Sequence, residues 1–129
     1  MNNTYNSSVD TLLHIKRVSQ LLNSFAKEVI ERGETHDDSK LVSPEKELFD
    51  ELTPLLSSLK YGTTEYQESL DRLKPALEHH YANNSHHPQY YVNGVDGMDL
   101  LDLVEMFFDW KAATERMKDG DIHKSVEIN

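Results

Sequence analysis

His36 and Asp37 are adjacent in the chain, and a neutral imidazole beside a carboxylate can place both groups on one divalent cation. Residues of the same kinds stand elsewhere: His14 upstream, Lys40 three positions on, His79-His80 and His86-His87 in mid-chain, and Asp109 in an apolar stretch near the end. There is no cysteine, which excludes thiolate metal sites, thiol redox chemistry and disulfides, so any ion must be held by nitrogen and oxygen. Such donors suit Mn, Fe, Co, Ni or Zn, and Mg only if the histidines contribute little.

The elements that must position these residues read as helices. Val18, Leu21, Leu22, Phe25 and Val29 recur at helical spacing, and His14 lies on the same stripe, so it should point inward. It is either a core-edge histidine bonded to a backbone carbonyl or a metal ligand. Gly33 reads as the residue that ends this helix. Residues 35–41 form a polar stretch with a plausible short helical turn. Ser43 is a candidate N-cap with Pro44 at the first helical position, and Leu48, Phe49, Leu52, Leu55, Leu56 and Leu59 supply an apolar face that Pro54 should kink or split.

Thr64 and Gln67 fit a capping box for the next helix. Tyr66, Leu70, Leu73 and Leu77 form its stripe, which runs on into His80, so His80 points inward while His79 faces the rim; Pro75 should bend the element. Residues 83–98 form a long irregular segment carrying His86 and His87, which are either ligands or solvated side chains, with Tyr90 and Tyr91. From Asp99 a helix apolar on most sides reads as the centre of a bundle, and Gly120 closes it. Glu105, Asp109, Ala112 and Arg116 share one of its faces. A buried carboxylate needs a partner: Arg116, Arg17, Arg72 or a lysine for Glu105, and a metal for Asp109. Trp110 packs.

The expected fold is therefore all-α, one bundle of about five helices over 1–129, with 1–7 and 121–129, including His123, peripheral. Lys and Arg number 13 against 23 Asp and Glu, and a net charge of -10 repels a phosphate backbone, which argues against polymeric nucleic acid as a partner. The start of the sequence lacks the pattern of a signal peptide and no stretch approaches a membrane span, so a cytoplasmic protein with no membrane partner is expected. Oligomeric state is open.

In order and in type, His14, His36-Asp37 with Lys40, His80 with His86-His87, and the late helical Asp109 resemble the HD superfamily of helical metal-dependent phosphohydrolases. The nearest likeness is to a short, uncharacterised HD-like family of unknown function from bacteria and phages, through the stretches 35–40, 84–88 and 102–113. The resemblance implies His14, His36, Asp37 and Asp109 as ligands of one metal. His80 with His86 or His87 would hold a second, and Asp37 would bridge. His80 and His86 are six residues apart, closer than the additional histidines of two-metal relatives.

An ion at such a site lowers the pKa of its water to near 7, making hydroxide available to attack phosphorus, and a second about 3.5–4 Å away steadies the developing charge. Lys40 would neutralise a phosphoryl oxygen, or is a solvent lysine paired with Asp37 or Asp38. The implied activity is hydrolysis of a small nucleotide or related phosphate ester. The alternatives are a di-iron oxygenase of the same fold and a non-catalytic module that binds a nucleotide or a protein.

Overall fold

The computed structural model describes residues 4–116, so Gly120 and His123 lie outside the described residues. The all-α expectation holds: four α-helices and three short 3₁₀ turns, with no strand among the described residues. No helix among them is long and apolar enough to cross a membrane. The chain divides into two compact units, Met1–Glu34 and Thr35–Asn129.

The described residues of the first unit belong, from Ser7 on, to one long helix, α1 (Ser7–Thr35), opened by the Asn6 side chain accepting from the Ser8 N–H at 3.0 Å. It buries no residue, so Val18, Leu21, Leu22 and His14 are exposed. The helix does not stop at Gly33, because Gly33 keeps an ordinary negative φ. The left-handed residue that follows the helix is Asp37, at φ 55 and ψ 19, one of the few non-glycine types that tolerate this region.

In the second unit, a 3₁₀ turn (Asp38–Leu41) leads through a cis Ser43-Pro44 bond into α2 (Glu45–Ser58). Ser43 is not the cap; Pro44 holds that position without a side-chain bond, and the carboxylate of Glu45 turns inward. A short link leads to α3 (Thr64–Asn83), whose cap lies one residue earlier than the capping-box reading, at Thr63, with Oγ1 accepting from the Tyr66 N–H. Glu45 meets His79 and His80 while Glu51 pairs with Arg72, so α2 and α3 run antiparallel.

Leu52, Leu73 and Ala76 are buried between the two helices, with Leu48, Phe49, Leu56 and Leu77 packed around them. Pro54 and Pro75 break neither helix: each is flanked by residues of this apolar contact, which carries the helix across the missing backbone bond. This antiparallel pair, and not the last helix, is the packed apolar centre. α4 (Leu100–Glu115) buries only Asp102, Met106 and Thr114, and Leu100, Phe107 and Phe108 are exposed.

Between α3 and α4 the segment 84–99 contains two 3₁₀ turns, Pro88–Tyr90 and Gly94–Gly97. Gly97 allows the close approach within it, because a Cβ there would sit 2.4 Å from Asn93 Oδ1 and 2.7 Å from Tyr91 Cβ. Gly97→Ala is therefore expected to destabilise the fold by about 1–3 kcal/mol, the range for overpacking, seen as a lowered midpoint in urea unfolding. A midpoint equal to that of the wild type would show that the loop yields freely.

Candidate metal centre

The site is assembled at the end of the α2–α3 pair where α2 begins and α3 ends. On α4, Asp102, Glu105 and Asp109 stand at i, i+3 and i+7, one face of the helix. Asp102, wholly buried, forms a capping box with Asp99 and also accepts from Ser85 Oγ (2.7 Å) and the Tyr91 hydroxyl (2.6 Å). These bonds fasten the loop to the helix beside His86, and the hydrogen bond to Asp102 pushes the Tyr91 phenol up to about 12.

Two carboxylates fix four imidazoles through their Nδ1 atoms. Glu105 Oε2 lies 2.8 Å from His36 Nδ1 and 2.7 Å from His86 Nδ1, so a single oxygen accepts from both rings. Glu45 is fully buried and divides its oxygens, Oε1 at 2.7 Å from His80 Nδ1 and Oε2 at 2.6 Å from His79 Nδ1. Although His36, His86 and Glu105 could themselves be grouped around an ion, separations of 2.7–2.8 Å are those of charge-assisted hydrogen bonds, and Glu105 is the acceptor. With Nδ1–H donated to a carboxylate, each ring presents its Nε2 lone pair on the opposite side, the arrangement typical of metal-binding histidines.

Those lone pairs converge. Asp37 Oδ1 lies 3.3 Å from His80 Nε2, 3.3 Å from His86 Nε2 and 3.6 Å from His36 Nε2. Asp109 reaches within 3.6 Å of both His36 Nε2 and His86 Nε2, and His87 Nε2 lies 3.0 Å from His80 Nε2. Bonds of about 2.0–2.2 Å from an ion to such donors separate neighbouring donors by about 3.0–3.5 Å, which is the spacing found. Asp37 Oδ1 and His86 Nε2 are buried without a hydrogen-bond partner, as expected of atoms meant for a cation. The residues fit a metal: Asp37, His80, His86 and His87 offer atoms that all lie within 4.8 Å of one another.

The electrostatics agree. Burial pushes the Asp37 carboxyl up, but the nearby His80 and His86 rings and the hydrogen bond from Lys40 outweigh it and hold the group well below the usual carboxylate range. Burial also raises Glu45, again outweighed, here by its bonds to His79, Ser39 and His80. His87 is pushed down to about 4 by burial and by the neighbouring His86 and His80, so it is neutral and ready to donate at physiological pH. For His80 burial favours the neutral ring, but the facing carboxylates of Asp37 and Glu45 prevail and raise it above the ordinary histidine value.

Six of the residues singled out by the sequence, His36, Asp37, His80, His86, His87 and Asp109, are therefore gathered in one place. Lys40 sits at the edge, its Nζ 2.9 Å from Asp37 Oδ2 and 5.5 Å from the centre of the Phe49 ring. His79 is on the rim, as its position on α3 predicts. His14 is exposed on α1, in the other unit. Where the pattern predicts a cationic residue beside Glu105, the partners are His36 and His86. Sequence reasoning missed the positioning roles of Glu45 and Asp102; a buried Glu in the first turn of a helix has no sequence signature distinct from a dipole-complementing one.

Because His80 holds a proton above the ordinary histidine value, an ion that takes its Nε2 must displace that proton. Co²⁺ affinity is expected to fall as pH drops through and below this range, by up to about tenfold per pH unit for each proton displaced. Calorimetric titrations in two buffers of different ionisation enthalpy read the released proton directly. A pH-independent affinity would remove His80 from the donor set.

Across residues 3–129 the chain matches the family described as Family of unknown function (DUF5662). No curated protein and no solved structure matches it. With a match over nearly its whole length, the chain belongs to the DUF5662 family of unknown function.

Proposed function

We propose that the chain is a metal-dependent phosphohydrolase of the HD type, acting on a small nucleotide or related phosphate ester. The observation that carries the reading is the convergence of His36, His80 and His86 Nε2 on Asp37 Oδ1, with Nδ1 of each ring turned to a carboxylate. The donor set favours one or two ions of Mn, Fe, Co, Ni or Zn over Mg. The HD assignment draws on the order of His36-Asp37, Lys40, the mid-chain histidines and the helical Asp109.

When bound, an ion at these donors supplies a water acidified to near neutrality and a Lewis acid for the phosphoryl oxygens. The chain's own residues do the rest. Asp37 presents Oδ1 to the convergence point and Oδ2 to Lys40, so the lysine is held within reach of whatever sits there. A half-exposed ammonium at the rim of a carboxylate-rich site is placed to hold an anionic substrate against an otherwise repulsive field. Asn84 and Ser39, hydrogen-bonded to each other at 2.9 Å, brace the turn behind Lys40.

Metal analysis beside a phosphate-ester screen tests the proposal. Wild-type protein purified without chelator is expected to carry one or two equivalents of Mn, Fe or Zn, lost in Asp37→Ala and reduced in His86→Ala. Lys40→Ala should keep its metal and lose about 10²-fold in kcat/KM, as removal of one charge-stabilising donor does. Full metal content in Asp37→Ala would refute the site. A metal-loaded wild type inert toward every ester tested would refute the activity while leaving the centre standing.

A further inference from the structure

Whether a histidine can bind a metal through Nε2 depends on which nitrogen carries its proton, and that is set by what faces the other one. For His80 the neighbours of Nδ1 are Glu45 Oε1 at 2.7 Å, Asn84 Nδ2 at 3.2 Å and Ser39 Oγ at 3.3 Å. The Asn84 amide orientation is set by its other bonds, Nδ2 to the His80 carbonyl at 2.8 Å and to Ser39 Oγ at 2.9 Å. Both Asn84 amide hydrogens are thus spent, and the Ser39 hydroxyl, which bonds Glu45, is the donor that would turn to a bare Nδ1 if that carboxylate were removed. Asp37 Oδ1 at 3.3 Å and His87 Nε2 at 3.0 Å face Nε2 and would accept its hydrogen, so the nearer carboxylate of Glu45 is what holds the hydrogen on Nδ1.

We propose that Glu45 is a positioning residue that selects the metal-binding tautomer of His80 against the pull of Asp37 and His87 on Nε2 and the Ser39 hydroxyl beside Nδ1. The proposal rests on reading the cluster as a metal centre. With Glu45 in place Nδ1 keeps its hydrogen, and the Nε2 lone pair points at Asp37 Oδ1, 3.3 Å away. Without it, the Ser39 hydroxyl donates to Nδ1, the ring proton moves to Nε2 toward Asp37 Oδ1, and an N–H stands where an ion would be bound. The location of Glu45 suits the role: it is the first residue of α2, where the helix dipole favours a carboxylate, and it is sealed from water. His79 takes the second carboxylate oxygen at 2.6 Å, preventing the group from turning away from His80.

The experiment is long-range ¹⁵N–¹H NMR of the histidine side chains in full-length, metal-stripped protein at about pH 9, above the histidine range, alongside Co²⁺ titration. Wild-type His80 is expected to show the Nδ1–H pattern. Glu45→Leu, which roughly keeps the buried volume, is expected to show Nε2–H at His80 and to lose about 10–100-fold in Co²⁺ affinity, the usual cost of removing such a partner. His79→Ala should retain the Nδ1–H form, because His80 keeps its own oxygen of Glu45.

A wild-type His80 carrying its proton on Nε2 overturns the proposal, and that spectrum needs no variant to fold. So does a folded Glu45→Leu that keeps Nδ1–H or the wild-type affinity. If the wild type binds no Co²⁺ at all, the metal-centre reading fails, and the spectra alone still decide whether Glu45 selects the tautomer.

Discussion

Lone pairs that face one another repel, and in this protein two, on Asp37 Oδ1 and His86 Nε2, do so out of contact with water. Asp37 Oδ1 and the Nε2 atoms of His36, His80 and His86 crowd a single point, and two of these atoms have no hydrogen-bonding partner. Nearby are the carboxylates of Glu45, Glu105 and Asp109, while Lys40 provides one fixed cation. Removing that much like charge from water costs several kcal/mol per group unless positive charge enters the cluster. The rest of the second unit can be understood as the means of holding these groups in place.

Several devices share that task. The antiparallel α2–α3 pair sets the first residue of one helix against the last turns of the other, bringing Glu45 to His79 and His80. The carboxylate face of α4 divides its labour along the helix: Asp102 fastens the loop, Glu105 orients two rings and Asp109 faces the convergence point. The apolar core is small by comparison, with Leu52, Leu73 and Ala76 at its heart. Of the largest fully buried side chains, Leu52, His86, Glu45 and Asp102, three are titratable. Charge pairing and hydrogen bonding therefore hold much of the second unit together, which makes its stability sensitive to whatever ion the cluster accepts.

Much of this was legible in the sequence, for a definite reason. His80 continues the stripe of Leu73 and Leu77, and helical periodicity carries direction, so its burial could be read from spacing. That Asp109 has charged or polar neighbours was legible because a carboxylate in an apolar helix demands a partner, and it lies 3.6 Å from His36 and His86 Nε2. What spacing does not encode is which helices pair and in what register: the burial of Glu45 follows from the antiparallel packing of α2 on α3, and the partners of Glu105 from the path of a loop. The same limit explains α4. Its composition suggests a helix surrounded on all sides, yet Phe107 and Phe108 are exposed, because composition reports hydrophobicity and not the number of neighbours. Gly33 misled in a simpler way, since a residue able to end a helix is not obliged to.

The left-handed backbone at Asp37 gives the His-Asp dipeptide a second meaning. That residue has to turn the chain after a 29-residue helix and also aim a carboxylate at three imidazoles. Glycine would meet the first demand and glutamate the second, but few side chains meet both, and of those only aspartate brings a full negative charge. Substitution at position 37 is thus constrained by the turn of the backbone as well as by the charge of the side chain.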